Sequence, residues 1–513
     1  MNKFIIASVL LLLTFAQAQD NPAVSFAFTQ NAVDSMKDAF VNYLISKVRA
    51  ISIPDFHYKN VYFQNLKITD PGFTANNVQA SLEDGYVQLS VANFNTQISG
   101  SAVLHILFKI HQGFSLTTEG STLTMNIVPE YNGHVSFKIN SIHFTVGAAK
   151  VHFSGFLGKI ETWIVNTFCH DLSGTIQNKI NDVLSSAIPG GLGNVLSISN
   201  DELPIEEDGE NVFSAIHFPE LLFINYTLTH APEFKQDHIY MPLNGTIYSK
   251  KSEGKAIPFS NTIQLPEADT SNSDGIQLFL SEYVFNSALY TLHADGALSA
   301  NITAKSLPKG FPFQLTTTSL NLIFPHLKST FGADQPCQIT CSINPDYYPN
   351  TSILTSGLAF NFPIVCELYA YSTTKSDFEL AVQISTDLAM SGNMHINTTN
   401  NKLYFNLTQG QVSNSEIMQT NIGNFDMVFF NLKVNVALEA SKTVFNQFLA
   451  KRGIPIPDIP NIHLNAAHVA FKDGYIEASY QPTFDAYNPD GTAYEQMLEQ
   501  PEPSSNNFLD YFW

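Results

Sequence analysis

Three histidines, His134, His143 and His152, recur every nine residues. Hairpin strands turn such a spacing into neighbours, and three imidazoles are enough to hold a catalytic zinc. They read better as surface or core histidines of a meander than as a metal triad. A serine-hydrolase elbow needs Gly-x-Ser-x-Gly; the nearest stretch, Gly113-Phe114-Ser115-Leu116-Thr117, lacks the second glycine. His-Glu-x-x-His is absent. Gly191-Leu192-Gly193 opens like a dinucleotide fingerprint, yet it follows a helical pattern and lacks the third glycine, so it reads as a helix stop. Of the four cysteines, Cys337 and Cys341 are four apart, a spacing that a disulfide bridges across a turn or helix but not along an extended strand. Cys169 and Cys366 leave three pairings open. Without an adjacent histidine this is poor zinc spacing, which favours disulfides or buried thiols. No catalytic residue, metal or cofactor is therefore expected, and the chemistry left for the chain is binding.

The 513 residues contain 44% apolar and only 14% charged side chains, with 40 Phe and 20 Tyr. That is ample to build cores in several domains. A net charge of −20 excludes the cationic footprint of a nucleic-acid binder. The charge is uneven. Residues 1–200 carry 11 basic and 12 acidic side chains, and 201–513 carry 14 and 33. Lys3, the apolar run Phe4 to Phe15 and Ala16-Gln17-Ala18 have the three parts of a secretory signal peptide, residues 1–18, so a secreted or endolysosomal-lumen protein is expected. Six Asn-x-Ser/Thr acceptors agree: Asn225, Asn244, Asn301, Asn350, Asn397 and Asn406. All lie beyond residue 200, which leaves the first part an unglycosylated surface for contact.

Between Ile51 and Ser154, β-branched and aromatic residues alternate with polar ones, and Asp84-Gly85 and Asn132-Gly133 mark tight hairpins. Two apolar helical stripes flank this meander. Val33, Met36, Phe40, Leu44 and Val48 form the first, and Ile160 to Ile188 at fourfold spacing form the second, which stops before Pro189-Gly190-Gly191. Lys255 to Gly275 reads as a linker. The plan then repeats: a helix near Ser281 to His293, β-type segments to about Leu432, and a helix carrying Val444, Phe445, Phe448 and Leu449. Lys47 to Asp55 and Lys451 to Asp458 echo each other as a helix exit into an Ile-x-Ile-Pro-Asp stretch. The segment 481–513 reads as an acidic tail.

Asn21-Pro22-Ala23-Val24, Lys47 to Asp55, Gln97-Ile98-Ser99-Gly100, Asn140 to Val151, Ser281 to Ala288 and Gly453 to Asp458 occur in an order and spacing that span nearly the whole chain. In these the sequence resembles the lipid-binding family of bactericidal/permeability-increasing protein, lipopolysaccharide-binding protein and the plasma lipid transfer proteins. The resemblance implies an α+β fold of two elongated twisted antiparallel β-barrels, each wrapped around a long helix and joined by a central sheet into a boomerang. Residues 19–254 would form the N-terminal barrel and 276–480 the C-terminal one, each with its share of the central sheet, with 255–275 between them.

The same resemblance implies two apolar pockets holding phospholipid or lipopolysaccharide-type amphiphiles, in an antibacterial role and without catalysis. The alternatives are lipid transfer without endotoxin activity and, less well supported, a secreted lipid hydrolase. Helix residues facing the interiors are the expected lipid contacts: Val33, Met36, Phe40 and Leu44, then Ile164 and Phe168, then Phe285 and Leu289, and finally Phe445 and Phe448. Endotoxin-binding members have a Lys- and Arg-rich hairpin after Ile-Ser-Gly. Here Ser101 to His111 carries one lysine, and Leu104, Leu107, Phe108 and Lys109 form an apolar tip suited to transient membrane contact by a monomer. Cys169 falls at the family's second-helix cysteine, but Val135 to Asn140 lacks the usual partner.

Overall fold

The structure, a computed structural model, describes residues 21–50, 52–59, 61–105, 109–131, 135–153, 172–187, 203–205, 222–225, 227–251, 257–272, 274–307, 313–397, 402–449, 454–455 and 462–484. The fold is α+β, mostly antiparallel strand with few helices. Four helices of more than ten residues stand among the described residues: α1 (Gln30–Ala50), α2 (Leu172–Ala187), α3 (Glu282–Ala294) and α4 (Met427–Leu449).

Three sheets carry the architecture. The first has eight strands and is dominated by the hairpin Tyr86–His105 and Lys109–Tyr131, flanked by Val61–Asp70 and Val135–Thr145. The second has seven, built on Gly357–Ser372, Asp377–Asn397 and Lys402–Thr420. Between them lies a six-stranded sheet that takes Val24–Thr29 from the start of the chain, His238–Leu243 and Ile276–Ser281 from its middle, and Tyr475–Phe484 from its end. Remote parts of the chain are thereby tied to one another through this central sheet.

Long strands curl where an extra residue in one of them supplies a bend. Three such bulges sit at asparagines in the left-handed region: Asn65 (φ 56°), Asn93 (φ 58°) and Asn414 (φ 52°). Asparagine tolerates that region better than other residues with a Cβ, because its short amide bonds locally. Asn65 and Asn93 curve the first sheet; Asn414 curves the second and donates to Asp387 Oδ2 at 2.8 Å. At the Asp84-Gly85 turn, Gly85 supplies φ 90° as the sequence requires.

Several expectations meet the structure. The stripe Val33 to Val48 forms α1. The C-terminal part of the second stripe forms α2, while Ile160 and the residues up to Asp171 lie outside the described residues, as does Asn132-Gly133. The duplicated exits match: Ser52–Ile53 pairs with Lys67 and Leu66 after α1, and Ile454–Pro455 pairs with Leu403 and Lys402 after α4. One boundary is corrected. Strand was expected to run to about Leu432, but α4 begins at Met427. Val428-Phe429-Phe430 has β-type composition, and two tertiary features overrule it. Asp426 Oδ1 accepts the N–H of Val428 at 2.8 Å and of Phe429 at 3.3 Å, a helix cap, and Phe430 is buried against Phe324 and Phe425. The expected linker is irregular where described, but it is tied down: Asn261 Nδ2 donates to Pro22 O at 2.8 Å, and Leu265 is buried with Ala27 and Phe279.

Cys337 and Cys341 share the extended strand Cys337–Ile343, so they do not bridge each other. Cys341 instead joins Cys366, its direct cross-strand partner. Cys337 is a free thiol whose burial pushes its pKa up to about 12, which keeps it protonated and inert. Cys169 lies outside the described residues. The bridge closes a loop with a sequence separation of 25. Replacing both Cys341 and Cys366 with Ser is expected to lower stability by about 3 kcal/mol, read as a lower urea midpoint. A midpoint equal to wild type would contradict it.

Candidate functional site

Alternation along the first sheet puts one set of side chains inside. In Val61–Asp70 the inner set is Val61, Phe63, Leu66 and Ile68, all buried, and the step across Asn65 keeps Leu66 inside despite the odd spacing. From the neighbouring strands Ile98, Phe114, Leu116, Met125 and Phe153 meet them, and Val33, Val41, Leu44 and Val48 of α1 with Ile176 and Ile180 of α2 complete the wall. A line of rings runs through it. Phe63 lies 5.1 Å from Phe56 and 5.2 Å from Phe114, and Phe114 lies 6.0 Å from Phe153. Among the described residues, the charged-type residues buried as whole residues are His238, Asp274 and Glu477, in the central sheet or the segment entering it, and the carboxylate of Asp295 at the end of α3 is also only 5% exposed. Burial raises the pKa of Glu477. Among the described residues, the buried side chains of the first and second sheets are mostly apolar, joined by hydroxyls such as Thr96, Thr118, Ser121 and Thr386 that hydrogen-bond to neighbours.

Helix amides close the open sheet edges. Among the described residues the strand Val135–Thr145 pairs with a strand on one side only, and Asn181 of α2 covers the other in two directions: Oδ1 accepts from Phe144 N at 2.8 Å and Nδ2 donates to Phe144 O at 3.0 Å. Gln177 Oε1 accepts from Val146 N at 3.1 Å. In the second half Asn446 and Asn435 of α4 bind Leu407 and Val412 in the same two-handed way, at 2.7–3.2 Å. Gln30 of α1 does so across Ala80 and Leu82, and Asn286 of α3 at Thr351. A buried backbone edge must find partners, and here side chains of the packed helices supply them. Sequence periodicity did not single out these amides, because they interrupt the apolar stripes; the signal is Asn placed inside helices that it disfavours.

Two cavities accompany these walls. An enclosed apolar one of about 10 Å³ lies between Ile53, Phe56, Phe63, Leu66, Ile98, Phe114, Leu116 and Ile176. It has room for about one water molecule. A more open one of about 190 Å³ is lined by His395, Asn397, Tyr404, Phe405, Asn406 and Asn446, below the roughly 300 Å³ at which small-molecule pockets begin.

Of the expected lipid contacts, Val33 and Leu44 are buried in the first core, and Phe285 is half-buried at the junction of that core with the second half. Leu289 is half-buried on α3. Met36, Phe40, Phe445, Phe448 and Leu104 fall on described backbone, with side chains outside the described residues; Ile164, Phe168, Leu107 and Phe108 lie wholly outside them. Lys109 is exposed. Asn301, Asn350, Asn397 and Asn406 are exposed, whereas Asn225 and Asn244 are half-buried and accept the N–H of Thr227 and Thr246. His143 and His152 are exposed on different strands and His134 lies outside the described residues; no group of three metal-binding side chains forms among those described. The helix that started early adds a feature the sequence reading missed: Val428, Phe429, Leu432 and Val436 share one exposed stripe of α4, Val428 at 77% exposure. Among the described residues no helix is long and apolar enough to cross a membrane.

Residues 217–481 match the model of the LBP / BPI / CETP family, C-terminal domain. Over 491 residues the chain is 20% identical to lipopolysaccharide-binding protein of Bos taurus, covering 90% of this chain and 93% of that protein. It is 19% identical over 465 residues to bactericidal permeability-increasing protein of Rattus norvegicus, covering 88% and 92%. A crystal structure of lipopolysaccharide binding protein is similar in fold, with a TM-score of 0.52 at 18% identity, covering 90% of this chain and 99% of that one.

Proposed function

Because the chain belongs to the LBP / BPI / CETP family, we propose that it is a secreted, non-catalytic protein that holds phospholipid or lipopolysaccharide-type amphiphiles, with an antibacterial role in innate immunity. The observation that carries this reading is the uncharged inner wall of the first sheet, where strand residues and the stripes of α1 and α2 meet without a buried charge among the described residues. Such a wall needs no directed polar contact to bind an acyl chain, since each buried methylene contributes about 0.8 kcal/mol. The names of the relatives and the shared fold support the ligand class.

In this reading the first and second sheets each form an elongated barrel around its helices, residues 19–254 and 276–480, with the central sheet as the bridge of a boomerang, 255–275 as the connection, 1–18 as a cleaved signal peptide and 481–513 as an acidic tail. The interior residues Val33, Met36, Phe40, Leu44, Ile164, Phe168, Phe285, Leu289, Phe445 and Phe448 contact acyl chains. The protein acts as a monomer, with Leu104, Leu107, Phe108 and Lys109 meeting membrane surfaces transiently. Single-lysine composition at that tip favours general lipid transfer over capture of endotoxin through many cation–phosphate pairs.

A delipidated sample mixed with phosphatidylcholine bearing a fluorescent acyl chain tests this. The expected result is transfer of the label into an environment shielded from an aqueous quencher, with no ester turnover. Absence of shielding, or release of free fatty acid, contradicts the reading.

A further inference from the structure

Cross-strand register collects cations on the outer face of the first sheet that lie far apart in sequence. His57, Tyr62, Val103 and His111 stand directly opposite one another in a row across four strands, and so share a face. His105 pairs with Lys109 one row nearer the hairpin end, and Lys59 occupies the adjoining turn. Two rows inward, Lys67, Ser99, Ser115 and His152 form a parallel row. His57, Lys59, Lys67, Lys109, His111 and His152 are all exposed.

The other titratable groups here are few. Asp55 accepts from Tyr62 Oη at 3.0 Å and from Asn65 N at 2.9 Å, and that hydrogen bond raises the pKa of Tyr62, so the phenol stays neutral. Tyr58 lies under the Lys59 ammonium at 5.4 Å, and Tyr62 stacks on His57 at 4.3 Å. Beyond the second row, Glu119 is paired with Lys150 at 2.7 Å, and Asp70 caps Gly72 N. Among the described residues of these rows and their turn, three lysines and three imidazoles are exposed beside the carboxylate of Asp55, on a chain whose net charge is −20.

We propose that this face, the row of His57 and His111 with Lys59, Lys67, Lys109 and His152, is a docking surface for anionic lipid membranes that strengthens as pH falls. The proposal rests on the lipid-binding reading and adds its regulation. The occupant is argued from charge. The lysines suit an anionic leaflet, and the face lies in the part of the chain without glycosylation acceptors. Imidazoles gain a proton around pH 6.5. Each cation beside an anionic leaflet strengthens binding about fivefold, so three imidazolium charges together contribute roughly a hundredfold.

The test is flotation of the full-length protein with phosphatidylglycerol/phosphatidylcholine vesicles at about pH 7.4 and about pH 5. Wild type is expected to bind roughly a hundredfold more tightly at the lower pH, with no gain on pure phosphatidylcholine. His57→Gln/His111→Gln should lose most of that gain and keep its binding at neutral pH, while His468→Gln on the central sheet keeps the gain. The replaced rings are exposed, and an unchanged thermal midpoint verifies folding. A gain that persists in the double variant, that appears equally on neutral vesicles, or that is absent from wild type overturns the proposal. Extraction of lipid carried by the same samples separates the two readings: lipid retained without a pH gain sinks the docking surface alone, and lipid absent sinks the binding reading.

Discussion

Phe63→Ala is expected to lower the stability of the delipidated protein by about 3–5 kcal/mol, the usual cost of emptying a buried aromatic position. Phe63 is 1% exposed and holds the centre of the ring line between Phe56 and Phe114. It also borders the small apolar cavity, so the substitution enlarges a space that, in the proposed lipid-binding reading, would receive an acyl chain. Ligand that binds the folded state alone stabilises it by mass action. The loss should therefore be smaller in lipid-loaded than in delipidated protein, measured as thermal midpoints of the two forms. Equal losses in both forms mean that Phe63 faces a core that lipid never enters.

Asn181→Leu carries the second large expectation. The amide satisfies both the N–H and the C=O of Phe144, a residue buried at 4% exposure, and leucine keeps the bulk but satisfies neither. Two orphaned backbone groups cost about 1–3 kcal/mol each, so a loss of roughly 2–5 kcal/mol is expected. Amide exchange at Phe144 and Val146 should accelerate, because Gln177 then holds the edge alone. If lipid enters where α2 leaves its sheet, uptake of fluorescent phospholipid should become faster in this variant even as stability falls. Slower uptake would place the route elsewhere.

What the sequence disclosed and what it withheld follow from the range of the interactions concerned. α1 and α3 were legible because Val33, Leu44, Val284 and Leu292 recur at helical spacing, and the first meander because its alternation is local. The start of α4 was not. Val428-Phe429-Phe430 has the composition of a strand, and the rings of Phe324 and Phe425 that settle it come from other parts of the chain. The pairing of Cys341 with Cys366 likewise depends on which residues two strands place opposite each other. The amide seams and the cationic face are register effects of the same kind. Lys109 looks solitary in its own hairpin, and only the pairing of Phe56–Tyr58 with Val61–Asp70 puts His57 and Lys59 on the same face of the sheet.

Family membership came from ordered short motifs, and 217–481 match the family model. The expected lipid contacts divide. Val33 and Leu44 could be chosen from periodicity alone, since an apolar stripe has one buried side. Whether such a stripe meets a partner side chain or an acyl chain depends on how far the helix stands from the sheet, which no local pattern encodes. The small first cavity shows the walls close together, held by Asn181 and Gln177.

The central claim is that the interior holds lipid. Native mass spectrometry of the protein purified from its native source, with lipids then extracted and identified, tests it most directly. The expected result is mass in excess of the covalent chain and any glycans it carries, released as phospholipid or a related amphiphile and restored when delipidated protein is returned to vesicles. Protein that carries no lipid from its source and takes none up from vesicles would contradict it.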